Sequence, residues 1–138
     1  MSRTTVANAK AELYALLWTA STNTPTFSVA TVDATQIRVY DHEPRGDHMQ
    51  SPVSVTISTA AMTPTEWTVV VRVYVTTAHY SAKVAQDNLD LLIPAVDVKI
   101  GSTAAFGPSQ WDIAWEDSLD AFMASCVLSV GREDDWAM

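Results

Sequence analysis

A chain of 138 residues, 48% apolar and only 17% charged, has the length of one domain and enough apolar side chains for a single core, which excludes the intrinsically disordered class. Its net charge of −8, from 16 acidic and 8 basic residues, leaves no footprint for gripping nucleic acid, because that requires clustered Lys and Arg. The single cysteine, Cys126, excludes an internal disulfide and a cysteine-based zinc site.

The first element is an amphipathic helix predicted over residues 3–20. Val6, Ala9, Leu13, Leu16, Leu17 and Ala20 recur at helical spacing, with Arg3, Lys10 and Glu12 off that face. Ser21 to Thr26 reads as a loop, and Pro25 prevents the helix from continuing. Gln36 to Tyr40 reads as a strand, followed by a loop from Asp41 to Pro52. Val53, Val55 and Ile57 then alternate with Ser54, Thr56 and Ser58, the period of a half-buried strand.

After a turn at Met62-Thr63-Pro64, Trp67, Val69, Val71, Val73 and Val75 fall on one face of a long strand. Glu66, Thr68, Val70, Arg72, Tyr74 and Thr76 fall on the other, a pattern that suits the middle of a sheet covered on one side. Trp67 reads as a core residue. Helical spacing returns over 79–93 through Ala82, Ala85, Leu89, Leu92 and Ile93, with Ser81 as the cap. Pro94 is expected to break or kink this helix, leaving 95–100 as a separate turn before Gly101.

Two more strands close the chain. Trp111, Ile113 and Trp115 alternate with Asp112 and Glu116. Phe122, Ala124, Cys126, Leu128 and Val130 alternate with Met123, Ser125, Val127 and Ser129. An acidic turn, Glu116-Asp117-Ser118, joins them as a hairpin. The order α-β-β-β-α-β-β gives an α+β class, with a mixed or antiparallel sheet and the helices on one face. One domain is expected over 1–138, with an acidic C-terminal tail at 132–138.

Few residues invite chemistry. The stretch from Asp41 to His48 holds two His and three carboxylates, but its spacing matches no metal-ligand pattern, and Pro44 and Gly46 mark it as an exposed loop. Cys126 has no neighbouring base to make it a thiolate, and apolar residues surround it. Neither a G-x-S-x-G elbow nor a Gly-rich phosphate loop is present, and the chain has four glycines. The expectation is a protein without enzymatic activity, cofactor or metal, used in a reducing, soluble compartment away from membranes.

Contact surfaces are the better candidates. Pro44 stiffens a loop in which His42, Glu43 and Arg45 can meet another protein, Arg45 through a forked pair with a carboxylate. At the other end of the chain, Asp134 and Asp135 precede Trp136. That Trp either folds back on its own domain or anchors to another subunit.

Four strings taken in order carry a family resemblance. They are Val39-Tyr40-Asp41-His42-Glu43-Pro44-Arg45, Thr63-Pro64-Thr65-Glu66-Trp67, Ala85-Gln86-Asp87-Asn88-Leu89-Asp90, and the run from Cys126 to Trp136. Together they resemble the tail terminator proteins of long, non-contractile-tailed phages that infect actinobacteria. The resemblance implies an α+β subunit of a homohexameric ring at the head-proximal end of the tail tube, in the virion. Its implied partners are its own copies, the tail tube protein and the head-tail connector protein. DNA would pass through the lumen without specific binding. A head-completion or neck connector protein of the same particle is the alternative within that setting. A small cytoplasmic α+β ligand-binding domain or enzyme is the alternative from another class.

Overall fold

The structure is a computed structural model and describes residues 6–44, 51–62, 66–78, 80–101, 110–117 and 120–131. Helix α1 spans Val6–Leu17 and two-residue strands β1 and β2 span Trp18–Thr19 and Thr24–Pro25. After a 3₁₀ turn at Ala34–Gln36 come β3 (Ile37–Tyr40), β4 (Val53–Met62) and β5 (Glu66–Thr76). Helix α2 spans Ala82–Ile100, and β6 (Trp111–Glu116) and β7 (Ala121–Gly131) close the chain. The α+β class and the order of major elements are those the sequence predicts.

The main sheet has five strands in the order β3-β4-β5-β7-β6. Only the β3–β4 pair is parallel, and the other neighbours run antiparallel. The hairpin predicted at Glu116-Asp117 is the β6–β7 turn, in which Asp120 takes a left-handed backbone angle of φ 48. Period-two alternation gives the sheet an apolar front, and both helices pack there. Val55, Ile57, Val71, Val73, Cys126 and Leu128 are fully buried on that front, beneath Leu13 and Leu17 of α1 and Leu89, Leu92 and Val96 of α2. Each such side chain removed from water contributes about 2 kcal/mol, so this layer dominates the stability of the domain.

Three elements depart from expectation. Helix α1 stops at Leu17 rather than residue 20. Thr26 supplies the reason: its N–H and hydroxyl donate to the carbonyls of Leu17 and Leu16, at 3.0 and 2.5 Å. These bonds satisfy acceptors that a helix end leaves open, and they free Trp18–Thr19 to pair with Thr24–Pro25. Asn23, at φ 53, makes the tight reversal between the two strands. The expected loop at 21–26 is therefore half of a small hairpin.

Second, α2 runs through Pro94 as one helix to Ile100. Proline deprives the Asp90 carbonyl of its helical donor, but Asp90 and Pro94 are both exposed, so water can serve that acceptor. Leu92, Val96 and Ile100, buried on either side of the proline, hold the last turns against the sheet. The Ser81 hydroxyl caps the start, accepting from the N–H of Val84 at 3.3 Å.

Third, the back of the sheet is not simply a semi-polar solvent face. Ser54, Thr56, Val70 and Tyr74 project from it and are buried. The segment after β3 begins to cross this face, as a parallel β3–β4 connection requires a crossover. The expected Trp67 packing and the Thr63-Pro64 turn concern side chains and positions outside those described. No helix among the described residues is long and apolar enough to cross a membrane.

Candidate functional site

Of the residues expected at interfaces, His42, Glu43 and Pro44 lie within the described structure, whereas Arg45, Asp134, Asp135 and Trp136 lie outside the described residues. His42 and Asp41 are exposed and bond to each other, Nδ1 to Oδ1 at 2.8 Å, and the His42 ring meets Tyr40 edge-on at 6.0 Å. Pro44 is half-buried.

Glu43 turns inward. Its carboxylate accepts from the Thr56 hydroxyl at 2.5 Å and from the Tyr74 hydroxyl at 2.6 Å, and Nη1 of Arg72 lies 3.4 Å away. Glu43 thus pins the start of the crossover to the back of the sheet, a role within its own subunit that the loop's composition did not announce. Burial, reinforced by the hydrogen bond to Glu43 and the charge of Glu43, pushes the Tyr74 phenol well above its ordinary range. Tyr74 is consequently a neutral donor throughout the physiological range.

Among the described residues, no group of three His, Cys, Asp or Glu converges where a metal ion could be held. Cys126 is a buried thiol on the front of β7. An open groove of about 310 Å³ lies between α1 and the end of β3, lined by Lys10, Ala11, Tyr14 and Asp41. That volume sits at the lower end of small-ligand sites, and among the described residues that line it Lys10 and Asp41 are the charged ones.

The two outer strands of the sheet differ sharply in character. On β6, Trp111 is half-buried and donates from Nε1 to Asp97 of α2 at 3.0 Å. Beyond it the helices no longer cover the front, so Ile113 and Trp115 stand 58% and 44% exposed. Trp115 is nonetheless fixed. It packs edge-on against Phe122 at 4.9 Å and donates from Nε1 to Asp117 at 2.9 Å. The back of β6 carries Asp112 and Glu116.

At the opposite margin, Arg38 is the exposed residue of β3. Its guanidinium lies 5.1 Å from the centre of the Trp18 ring and 5.8 Å from that of Tyr40. No carboxylate among the described residues pairs with it. Sequence reasoning missed Arg38, Ile113 and Trp115. The alternation in Trp111–Glu116 reads like any half-buried strand, and nothing local reveals that helix cover ends after Trp111.

The chain matches no family model, no curated protein and no solved structure.

Proposed function

We propose that this chain is a structural subunit of a phage tail: a tail terminator that forms a homomeric ring on the head-proximal end of the tube, stops its growth and joins it to the head connector. The observation that carries this reading is the ordered set of four sequence strings, running from Val39-Tyr40-Asp41 to the ending at Trp136, that resembles such proteins. Two features of the fold support it. The α+β scaffold is the one the resemblance implies. The sheet also ends in two margins of unlike character, one apolar and acidic and one carrying the cation Arg38, which suits head-to-tail contacts between copies. A net charge of −8 per subunit would line a passage along which DNA slides without sticking.

The test is to add purified full-length protein to polymerising tube protein of the same phage and follow tube length by electron microscopy. Rings alone, and tubes capped at one end and arrested in length, are the expected result. Unchanged tube growth with no density at the ends would overturn the reading.

A further inference from the structure

The two margins of the sheet match in height, face and charge. Successive cross-strand pairings run Val39–Val55, Val55–Val73, Val73–Ala124 and Ala124–Ile113, so Val39 and Ile113 lie in one row across all five strands. The next row runs Arg38–Ser54, Ser54–Tyr74, Tyr74–Met123 and Met123–Ala114. Arg38 is therefore level with Ala114, and Ala114 sits between Asp112 and Glu116 on the same face of β6. In the neighbouring row Ile37 is level with Trp115, through Val53, Val75 and Phe122.

A second copy placed beside the first at equal height would bring its β3 alongside β6 in antiparallel sense. Its Arg38 would then lie diagonal to both acids, within reach of a long side chain. The front of the same contact would cover Ile113 and Trp115 with the partner's β3 side, where the β1–β2 hairpin packs beside β3 without joining its ladder. Pairing β6 with another β6 is disfavoured, because antiparallel self-pairing centred on Ala114 sets Asp112 against Glu116. The acidic strand selects the basic margin and rejects itself.

We propose that the β6 margin of one copy docks on the β3 margin of the next, seating Arg38 between Asp112 and Glu116 and burying Ile113 and Trp115. The contact is heterologous, so it propagates from copy to copy and yields a ring where the rotation closes. Trp115 is the energetic centre, since Phe122 and Asp117 already hold its indole and little side-chain freedom remains to be lost on docking. This proposal rests on the ring reading for its partner, another copy of the chain.

The experiment is native mass and light scattering on the full chain from low to high micromolar concentration, with thermal unfolding run on every variant to confirm the fold. Wild type is expected to assemble. Trp115→Ala should weaken assembly about thirtyfold, the scale of a hot-spot truncation. Arg38→Glu should abolish it, and adding Asp112→Arg to Arg38→Glu should restore it to within about tenfold of wild type.

A 1:1 mixture of Arg38→Glu with Ile113→Asp supplies the sharpest readout. Each variant keeps one intact margin, so the mixture should form two-subunit complexes that neither forms alone. A wild type that is monomeric at every concentration overturns the proposal while leaving assembly on a tube end open. Assembly indifferent to Trp115→Ala and Arg38→Glu also overturns it. Margin-dependent assembly that never caps tubes would sustain the docking contact and sink the tail reading.

Discussion

Tyr74, near the end of β5, donates its phenol hydrogen to Oε1 of Glu43 at 2.6 Å, tying the back of the sheet to the segment that leaves β3. Oε2 of the same carboxylate accepts from Thr56, which is buried. Tyr74→Phe removes one bond and is expected to cost about 1 kcal/mol. Glu43→Ala leaves two buried hydroxyls without their acceptor and should cost more, about 2 kcal/mol. Urea unfolding of both variants and of the double variant checks this. The double should lose less than the sum of the singles, because both deletions break the same bond. Strictly additive losses would mean that the two residues act independently.

The raised Tyr74 phenol fixes the sign of an alkaline effect. Above about pH 10 the phenol ionises in the unfolded chain but stays protonated in the folded one. The folded state then holds more protons, so stability falls as pH rises through that range. Tyr80 is also raised by burial and acts in the same direction. Wild type should lose stability above pH 10 more steeply than Tyr74→Phe, as read from urea midpoints at pH 8 to 11. Equal slopes would show that the Tyr74 phenol titrates alike in both states.

These bonds also mark where sequence reading stops. Val69, Val71, Val73 and Val75 announce β5 because burial on one face of a strand imposes a period of two, which the sequence itself carries. Ala85, Leu89 and Leu92 announce the first part of α2 in the same way, through helical spacing. Glu43 carries no such signature, since a carboxylate in a proline-containing loop is usually solvated, and only the crossover sets it over Thr56. The end of α1 at Leu17 depends on Thr26, a partner brought by the hairpin rather than by the helix's own pattern. Pro94 is a strong local signal overruled by the packing of Leu92, Val96 and Ile100. For the contact surface, the strings around His42 and Trp136 were visible as candidates. The exposure of Ile113 and Trp115 was not, because it follows from how far α2 extends over the sheet.

Asn88 offers a test of the α2 interior. It is buried, its Oδ1 accepts from the Thr31 hydroxyl at 2.6 Å, and its Nδ2 finds no partner among the described residues. Asn88→Leu removes that unpaired donor, and the exposed Thr31 hydroxyl can turn to water, so stability should stay within about 1 kcal/mol of wild type. Asn88→Asp buries a carboxylate and should cost about 3 kcal/mol at neutral pH. Its folded pKa would be raised, so the loss should shrink as pH falls and the carboxyl becomes neutral in both states. Thermal unfolding at pH 5 and 7 reads both variants. An Asn88→Leu variant as damaged as Asn88→Asp would show that the amide makes a bond this reading does not assign.

The last prediction concerns the contact residues beyond the described segments, Arg45 and the stretch Asp134-Asp135-Trp136. The ring reading assigns them to contacts between proteins, while the layer of Val, Leu and Ile side chains between sheet and helices carries the fold. Arg45→Ala and a truncation after Glu133 should therefore unfold cooperatively within about 0.5 kcal/mol of wild type, the usual range for changes outside a core. Both should lose assembly or tail completion. The truncation should lose more, because a Trp buried in a partner outweighs an exposed ion pair. Urea unfolding at a concentration where the chain is monomeric separates stability from association, and light scattering at higher concentration reads the latter. Loss of the cooperative transition in both variants would make these segments part of the subunit's own core and remove them from the interface.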